Sequence, residues 1–286
     1  MELTALHPKF GMEVSGTALR DATATHLYPE IREAFEHHSL LLFRGQHLTD
    51  EEQLALGRLF GPLEDRMNRP EPEIAAVSNE TEDGGVTDEE ATHTKNLKAN
   101  QLWHTDSTFL PVPALANILQ ARVVPSEGGA TEFVSTRAGF QDLTLEQQEK
   151  LRETVFHHRY AHSRAKIDPE LAKGDLFTQW ADQSWKALWP NPVTGEEAVY
   201  IASHVFAVEG MDAAAGQSLV EDLIAGMTRP EDVYSHLWEP GDVIIWDERA
   251  TLHRGTSWPY DQPRTLVSIC VSVQPEDGLD DMRMAS

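Results

Sequence analysis

Two residues with metal-binding side chains, His104 and Asp106, lie two positions apart in this chain. On an extended segment, alternate side chains project to the same face, so an imidazole and a carboxylate at this spacing can bind one metal ion together. A His-x-Asp pair is common by chance and gains meaning only from a third ligand. His253, which follows a short apolar run and precedes a turn at Gly255, is the candidate for that ligand.

Two imidazoles and one carboxylate leave part of a metal's coordination sphere open. This donor set favours Fe(II) that reacts with oxygen over a closed structural zinc site. A zinc or manganese enzyme that activates water for hydrolysis or isomerisation would use the same ligands. A binding protein that kept the fold without catalysis is a further alternative. The intact set of three ligands argues against the binding protein, but it does not distinguish an oxygen-activating enzyme from a hydrolytic or isomerising one.

Short runs of β-branched and aromatic residues, bounded by turn residues, predict the strands that must carry these ligands. The predicted strands cover residues 40–43, 74–78, 118–124, 131–135, 155–161, 198–202, 243–246 and 265–273. Helices are predicted outside them, at residues 22–38, 49–60 and 212–227. Many short strands in 286 residues predict one mainly β domain over residues 1–286, a sandwich or jelly roll with peripheral helices.

Two aperiodic stretches are expected to be loops that cover the site. Residues 79–100 lead directly into His104, and residues 166–194 are rich in tryptophan. Either loop could close over a cavity as a lid, although a solvated surface loop fits residues 79–100 equally well. A separate run of titratable residues predicts a polar strand face, namely His157, His158 and His162.

The composition limits the partners of this chain. Its 47 acidic and 23 basic residues give a formal charge of −24, which opposes binding to nucleic acid or to an anionic membrane surface. No apolar run approaches the roughly 20 residues that span a bilayer. The single cysteine, Cys270, lies in an apolar run and is expected to pack as a small hydrophobic residue. These features predict a cytoplasmic protein that acts on a small molecule, and they are compatible with a homo-oligomer.

Four segments, in this order and spacing, resemble the family of taurine dioxygenase and 2,4-dichlorophenoxyacetate dioxygenase. They are residues 102–109, residues 128–133, the pair Trp246-Asp247, and His253-Arg254-Gly255 followed by Arg264. The resemblance extends over about residues 12–273. It implies a double-stranded β-helix, which is a jelly roll, and an enzyme that uses Fe(II), 2-oxoglutarate as co-substrate and O2.

The resemblance also implies a role for each matching residue. His104, Asp106 and His253 would hold the iron. Arg264 would bind the distal carboxylate of 2-oxoglutarate through a two-pronged charge-assisted contact, and Thr131 would bond the same co-substrate. The implied reaction hydroxylates a C–H bond and releases succinate and carbon dioxide. Because Asp106 is retained, the related halogenation reaction is not expected.

The chain departs from the family at Ser268, where a second arginine usually meets an anionic substrate. An acidic group on the substrate must then be held differently. The candidates, each of which also has an ordinary structural or loop interpretation, are Lys95, Lys98, Asn100, Phe109, His204 and Ser268 itself. The expected substrate is a small organic molecule with an apolar or aromatic body, such as an aryloxyalkanoate-like or other organic acid. Glu248 stands where the family usually has Asn and is expected to alter the hydrogen bonding near the ligands.

Overall fold

The computed structural model describes residues 1–23, 26–65 and 73–284, and these residues form β-sheets surrounded by helices. The strands are β1 (Glu2–Ala5), β2 (Met12–Ser15), β3 (Leu40–Phe43), β4 (Ala75–Ser78), β5 (Ala114–Val123), β6 (Thr131–Ser135), β7 (Val155–His158), β8 (Gln183–Lys186), β9 (Leu188–Pro190), β10 (Glu197–Val199), β11 (Val205–Val208), β12 (Tyr234–His236), β13 (Val243–Asp247), β14 (Thr251–Gly255) and β15 (Thr265–Ser272). The helices are α1 (Leu27–His38), α2 (Asp50–Phe60), α3 (Thr92–Ala99), α4 (Thr136–Gln141), α5 (Leu145–Arg152), α6 (Tyr160–Ala165), α7 (Asp175–Thr178), α8 (Ala213–Met227) and α9 (Leu279–Met282).

The largest sheet has the strand order β1-β2-β3-β13-β5-β15-β4 and is apolar on both faces near its centre. Successive residues of a strand face opposite sides of the sheet. Leu41 and Phe43 therefore pack into one buried cluster, together with residues of α1 and α2, whereas Leu40 and Leu42 pack into another. Strands that are apolar at every position are thus explained by burial on both faces of the sheet.

A smaller sheet, with the order β12-β6-β14, faces the large one. Phe133 of β6 packs between the two sheets with Trp246 of β13 and Leu266 of β15. On its outer side the small sheet is covered by α8, since Val134 and Leu252 share a buried cluster with helix residues. Two facing sheets with helices outside them form the jelly roll predicted from the strand pattern.

The predicted helix starts are confirmed where a capping residue is present. Thr49 and Glu52 form a reciprocal capping box at the start of α2, and the side chain of Asp212 accepts a hydrogen bond from the backbone N–H of Ala215 at the start of α8. The first predicted helix begins later than expected, at Leu27. Two residues of that prediction, Ala24 and Thr25, lie outside the described residues.

One prediction of a strand and two predictions of loops were wrong in part. The strand expected at 155–161 ends at His158 and is followed by α6, so the polar strand face was also wrong: His158 is buried, and His162 lies on a helix. The stretch 79–100 contains α3, and 166–194 contains α7, β8 and β9. None of the helices in the described ranges is both long and apolar enough to cross a membrane.

Candidate functional site

Backbone pairing brings the three predicted ligands together. The N–H of His104 donates to the carbonyl of His253 at 3.0 Å, and the N–H of His253 donates back at 2.9 Å. Directly paired residues place their side chains on the same face, and Asp106 follows two positions later. One ligand atom from each of the three side chains lies within 4.8 Å of the others. The tertiary fold thus assembles a cluster whose members are 149 residues apart in the chain, from position 104 to position 253.

The state of the two imidazoles suits metal binding. Nδ1 of His104 lies 2.7 Å from the carbonyl oxygen of Leu102, so Nδ1–H donates to that carbonyl and Nε2 keeps its lone pair for a metal. Burial, with a further contribution from neighbouring His104, lowers the pKa of His253 to about 3. Burial thus favours the neutral form of His253, which is the form that coordinates a metal. The donor set fits a divalent ion such as Fe(II).

Two buried polar residues hold Asp106 in place. Nδ2 of Asn117 donates to Oδ2 of Asp106 at 2.8 Å, and the backbone N–H of Asp106 donates to Oε2 of Glu248 at 2.9 Å. Burial, together with the negative charge of Asp106, raises the pKa of Glu248 well above its ordinary value. The sequence marked Glu248 only as a departure from the family, and it carried no signal for Asn117.

Arg264, which lies eleven residues beyond His253, is buried, with 5% of its surface exposed. Its Nε and Nη2 donate to the carbonyl oxygen of Gly129 at 3.1 and 2.9 Å, and its guanidinium lies 4.9 Å from the ring centre of Trp258. Within the described ranges, no carboxylate is paired with this guanidinium. Burial lowers its pKa to about 10. Gly129 has a φ of +64°, and a Cβ there would come within 2.9 Å of Nε, so this close approach requires glycine.

Thr131 begins β6 and is buried. Its hydroxyl oxygen accepts a hydrogen bond of 2.9 Å from the indole N–H of Trp238. The indole occupies an acceptor position and leaves the hydroxyl proton available as a donor to a ligand. Thr131 and Arg264 line the same cavity.

This cavity lies between the two facing sheets and has a volume of about 610 Å³, a size typical of small-molecule sites. Its lining includes the three residues of the metal-binding cluster together with Thr131 and Arg264. A single space thus connects a metal-binding cluster with a buried cation.

Comparison with known proteins agrees with this geometry. The family described as "Taurine catabolism dioxygenase TauD, TfdA family" matches residues 2–270. The chain belongs to this family. It is 33% identical to the (S)-phenoxypropionate/alpha-ketoglutarate-dioxygenase of Sphingobium herbicidovorans, over 93% of this chain and 92% of the relative. It is 34% identical to the alpha-ketoglutarate-dependent 2,4-dichlorophenoxyacetate dioxygenase of Cupriavidus pinatubonensis, over 91% and 94% of the two chains.

The solved structures extend the agreement to the fold. The crystal structure of AAD-2 in complex with Mn(II) and N-oxalylglycine superimposes with a TM-score of 0.85 at 32% identity, and covers 95% of this chain and 97% of that chain. The protein described by the present sequence is therefore a dioxygenase of the TauD, TfdA family. It uses Fe(II), 2-oxoglutarate and O2 and acts on a small organic substrate.

Four of the predicted substrate residues of this dioxygenase line the cavity, and two do not. Asn100, Phe109, His204 and Ser268 are part of the lining. Lys95 and Lys98 are not part of the lining, and both are held in ion pairs. Lys95 contacts Asp168 and Glu90 at 3.1 and 3.6 Å, and Lys98 contacts Glu89 at 2.9 Å. On α3 these two lysines point towards acidic neighbours, whereas His93, Asn96 and Leu97 of the same helix line the cavity.

Stacked rings form the wall next to the metal cluster. The ring of Phe109 stacks on Tyr160 with centroids 3.9 Å apart, and His204 packs edge-on against Phe109 at 5.1 Å. His204 in turn lies 6.3 Å from His104, ring to ring. The sequence identified Phe109 and His204 but missed Tyr160, because its surroundings were interpreted as a strand face.

The tryptophan-rich stretch contributes less to the cavity than expected. Trp180 and Leu176 line it, whereas Trp185 and Trp189 are buried in the core on the outer face of the large sheet.

Cys270 also differs from its prediction. It is half-buried, lines the cavity, and has its sulfur 3.9 Å from Oδ2 of Asp106.

Proposed function

We propose that His104, Asp106 and His253 bind the iron, that Arg264 and Thr131 bind 2-oxoglutarate, and that the enzyme hydroxylates a C–H bond of a small organic acid. The observation that carries this proposal is the buried Arg264. A cation without a carboxylate partner in the described residues, in the same cavity as a metal-binding cluster, is suited to an anionic co-substrate that reaches both.

When bound, the iron and 2-oxoglutarate together activate O2 for hydroxylation, and 2-oxoglutarate becomes succinate and carbon dioxide. The residues of the chain bind and orient the reactants. Arg264 supplies positive charge to the distal carboxylate, and Gly129 holds the guanidinium in position. Thr131, fixed by Trp238, contributes a neutral hydrogen bond. The apolar walls exclude water, which strengthens each of these contacts.

The substrate is proposed to have an aromatic or apolar body. The stack of Phe109 on Tyr160 and the nearby His204 offer a flat apolar surface beside the metal cluster. Similar relatives are named for phenoxypropionate and 2,4-dichlorophenoxyacetate, and one of Pseudomonas putida, 30% identical, is named as a sulfate ester dioxygenase. An organic acid is therefore the class to test first.

A second buried arginine supports an acidic substrate. Arg164 lines the cavity, its guanidinium lies 4.3 Å from the ring centre of Tyr160, and its Nε donates to Oδ1 of Asn96 at 3.1 Å. We assign the recognition of the substrate's acid group to this wall, in place of the arginine that Ser268 replaces.

Three further expectations stay predictions. They are the closure of residues 79–100 or 166–194 over the cavity, a cytoplasmic location and a homo-oligomer.

The first test uses the co-substrate. Anaerobic protein mixed with Fe(II) and 2-oxoglutarate should develop the weak visible charge-transfer band of the chelate, and admitting O2 should then release succinate. His253→Ala should lose both signals, because one ligand of the metal is removed. The absence of the band in the parent protein would defeat the dioxygenase proposal and favour a hydrolytic or isomerising metal enzyme.

The second test uses the substrate. Aromatic acids are compared with their amides for stimulation of succinate release, in the parent protein and in Arg164→Gln. The acids should stimulate release more strongly than the amides, and Arg164→Gln should reduce this preference. Equal stimulation by acid and amide would contradict the acid assignment without affecting the co-substrate result.

A further inference from the structure

We infer that Asn117 and Ser268 are positioning residues that set the orientation of the Asp106 carboxylate for metal binding. This inference rests on the proposed iron site, and it gives Ser268 a role other than substrate contact. Asn117 and Ser268 lie on neighbouring strands, β5 and β15, at the floor of the cavity. They are 4% and 7% exposed.

The hydrogen bonds form a chain that ends on Asp106. The hydroxyl of Ser268 donates to Oδ1 of Asn117 at 2.8 Å, and Nδ2 of Asn117 donates to Oδ2 of Asp106 at 2.8 Å. Both links are short. The first joins two buried residues, and the second joins buried Asn117 to the half-buried carboxylate of Asp106. A buried polar group that lost such a partner would be costly, so each link tends to keep the next in place.

The donor and acceptor types of the three groups fix the direction of this chain of hydrogen bonds. A carboxylate only accepts hydrogen bonds, so the amide of Asn117 must turn Nδ2 towards Asp106 and Oδ1 towards Ser268. Ser268 must then donate, because Oδ1 cannot. A flipped amide would bring two oxygens together at Asp106. The amide of Asn117 and the hydroxyl of Ser268 are therefore committed to this chain.

The consequence for Asp106 is a defined rotation of its carboxylate. The outer torsion of an aspartate side chain is intrinsically soft. With Oδ2 held by Asn117, Oδ1 lies 3.7 Å from Nε2 of His104, and the backbone of the same residue is tied to Glu248. An aligned carboxylate does not have to be ordered when the metal binds, so the hydrogen-bond chain should raise metal affinity.

The test measures metal affinity without turnover. Mn(II) is titrated into metal-free, full-length protein in the absence of 2-oxoglutarate, and free Mn(II) is followed by electron paramagnetic resonance. Asn117→Ala should bind Mn(II) about 10- to 100-fold more weakly, the range typical for a residue that orients a metal ligand. Ser268→Ala should lose about 3- to 10-fold, because the amide stays but can rotate.

Matched variants separate positioning from general damage. Ser268→Thr keeps a hydroxyl and should bind Mn(II) as the parent protein does. Ser272→Ala, four residues further along β15 and outside the cavity lining, should also be unchanged. Urea unfolding of the metal-free Ser268→Ala should show a cooperative transition, at a lower urea midpoint than Ser272→Ala because the buried Oδ1 of Asn117 loses its donor, so the protein that is titrated with Mn(II) is folded. Parent-like Mn(II) affinity in both Asn117→Ala and Ser268→Ala, or an equal loss in Ser272→Ala, would overturn the inference.

This outcome is distinguishable from failure of the proposed function. If the parent protein lacked the charge-transfer band with Fe(II) and 2-oxoglutarate, the dioxygenase assignment would fall, whereas the Mn(II) titrations would still decide the role of Asn117. If the band were present and the variants bound Mn(II) as tightly as the parent protein, only the positioning role would be lost.

Discussion

Two arginines, Arg249 and Arg264, are almost equally buried in this protein, at 2% and 5% exposure, but their surroundings are opposite. Arg249 donates to Glu36 at 2.7 Å and to Asp247 at 2.9 Å. Among the described hydrogen bonds, the guanidinium of Arg264 donates only to the carbonyl of Gly129. One guanidinium is fully compensated by charge, and the other meets a neutral dipole.

The pKa values express the same contrast. Burial lowers the pKa of Arg249, but the charges of Asp247 and Glu36 outweigh this effect and raise it. For Arg264 burial prevails and lowers the pKa to about 10. A charge held in a low-dielectric interior without a counter-charge is unfavourable until an anion arrives. We infer that the Arg249 network serves the fold and that Arg264 serves a ligand.

The compensated network extends beyond Arg249. Glu36 also accepts hydrogen bonds from Arg32 at 2.8 Å and from Asn191 at 2.7 Å, which ties α1 to β9 and its following turn. Burial by itself would raise the pKa of Glu36. The positive charges of the neighbouring arginines outweigh this effect and lower the pKa below its ordinary value, so the carboxylate stays charged. Removing Arg249 takes away the cation that Asp247 contacts among the described ion pairs and leaves Glu36 with Arg32 and Asn191, which is the basis of the largest effect expected below.

The largest effect is expected for stability in Arg249→Met. This change leaves Asp247 and Glu36 without their shared cation and should cost about 3–5 kcal/mol of unfolding free energy, measured by urea denaturation. Arg264→Met is the matched control, and it should change stability by less than about 1 kcal/mol or increase it, since no counter-charge is left behind. Equal destabilisation by both variants would abolish the distinction between the two arginines.

The next effect concerns co-substrate binding in Arg264→Ala. Loss of the arginine partner should cost roughly 3 kcal/mol, which is about a hundredfold increase in the 2-oxoglutarate concentration needed for half-maximal decarboxylation. Lysine should recover only part of the loss, because a point charge cannot reproduce the planar fork. Metal affinity without co-substrate should stay at the parent value. Unchanged 2-oxoglutarate binding in Arg264→Ala would remove the main support for the co-substrate site.

Ligand addition should sharpen the comparison from the other side. With saturating Mn(II), 2-oxoglutarate at a hundred times its dissociation constant should stabilise the protein by about 2.7 kcal/mol, seen as a shift of the urea midpoint. The same concentration should give almost no shift in Arg264→Ala. A full shift in that variant would mean that the ligand stabilises the protein through other contacts.

The smallest effect is expected at Thr131. Removing its hydroxyl in Thr131→Val should weaken 2-oxoglutarate binding about fivefold, the equivalent of one neutral hydrogen bond of about 1 kcal/mol, when the charge-transfer band is titrated. The variant should also lose some stability, because the indole N–H of Trp238 loses its acceptor. Thr131→Ser keeps the hydroxyl and should behave as the parent protein. A fivefold loss in the serine variant as well would point to packing as the cause.

The sequence by itself predicted the features that depend on local spacing. The short runs of β-branched and aromatic residues predicted the strands, Thr49 and Asp212 predicted two helix starts, and the two-residue spacing of His104 and Asp106 predicted a shared face. Each of these signals follows from the geometry of a single segment. These predictions were confirmed because each signal can be interpreted without knowing where distant parts of the chain lie.

Only the tertiary structure decided which distant side chains meet. The bond from Asn117 to Asp106 and the bond from Ser268 to Asn117 depend on how β5 and β15 pair and on where the segment after His104 crosses them. The partners of Lys95 and Lys98 depend in the same way on α3, a helix within a stretch that was predicted to be a loop. Register and packing between segments set these contacts, and a side chain's type does not reveal which neighbour the fold will place beside it.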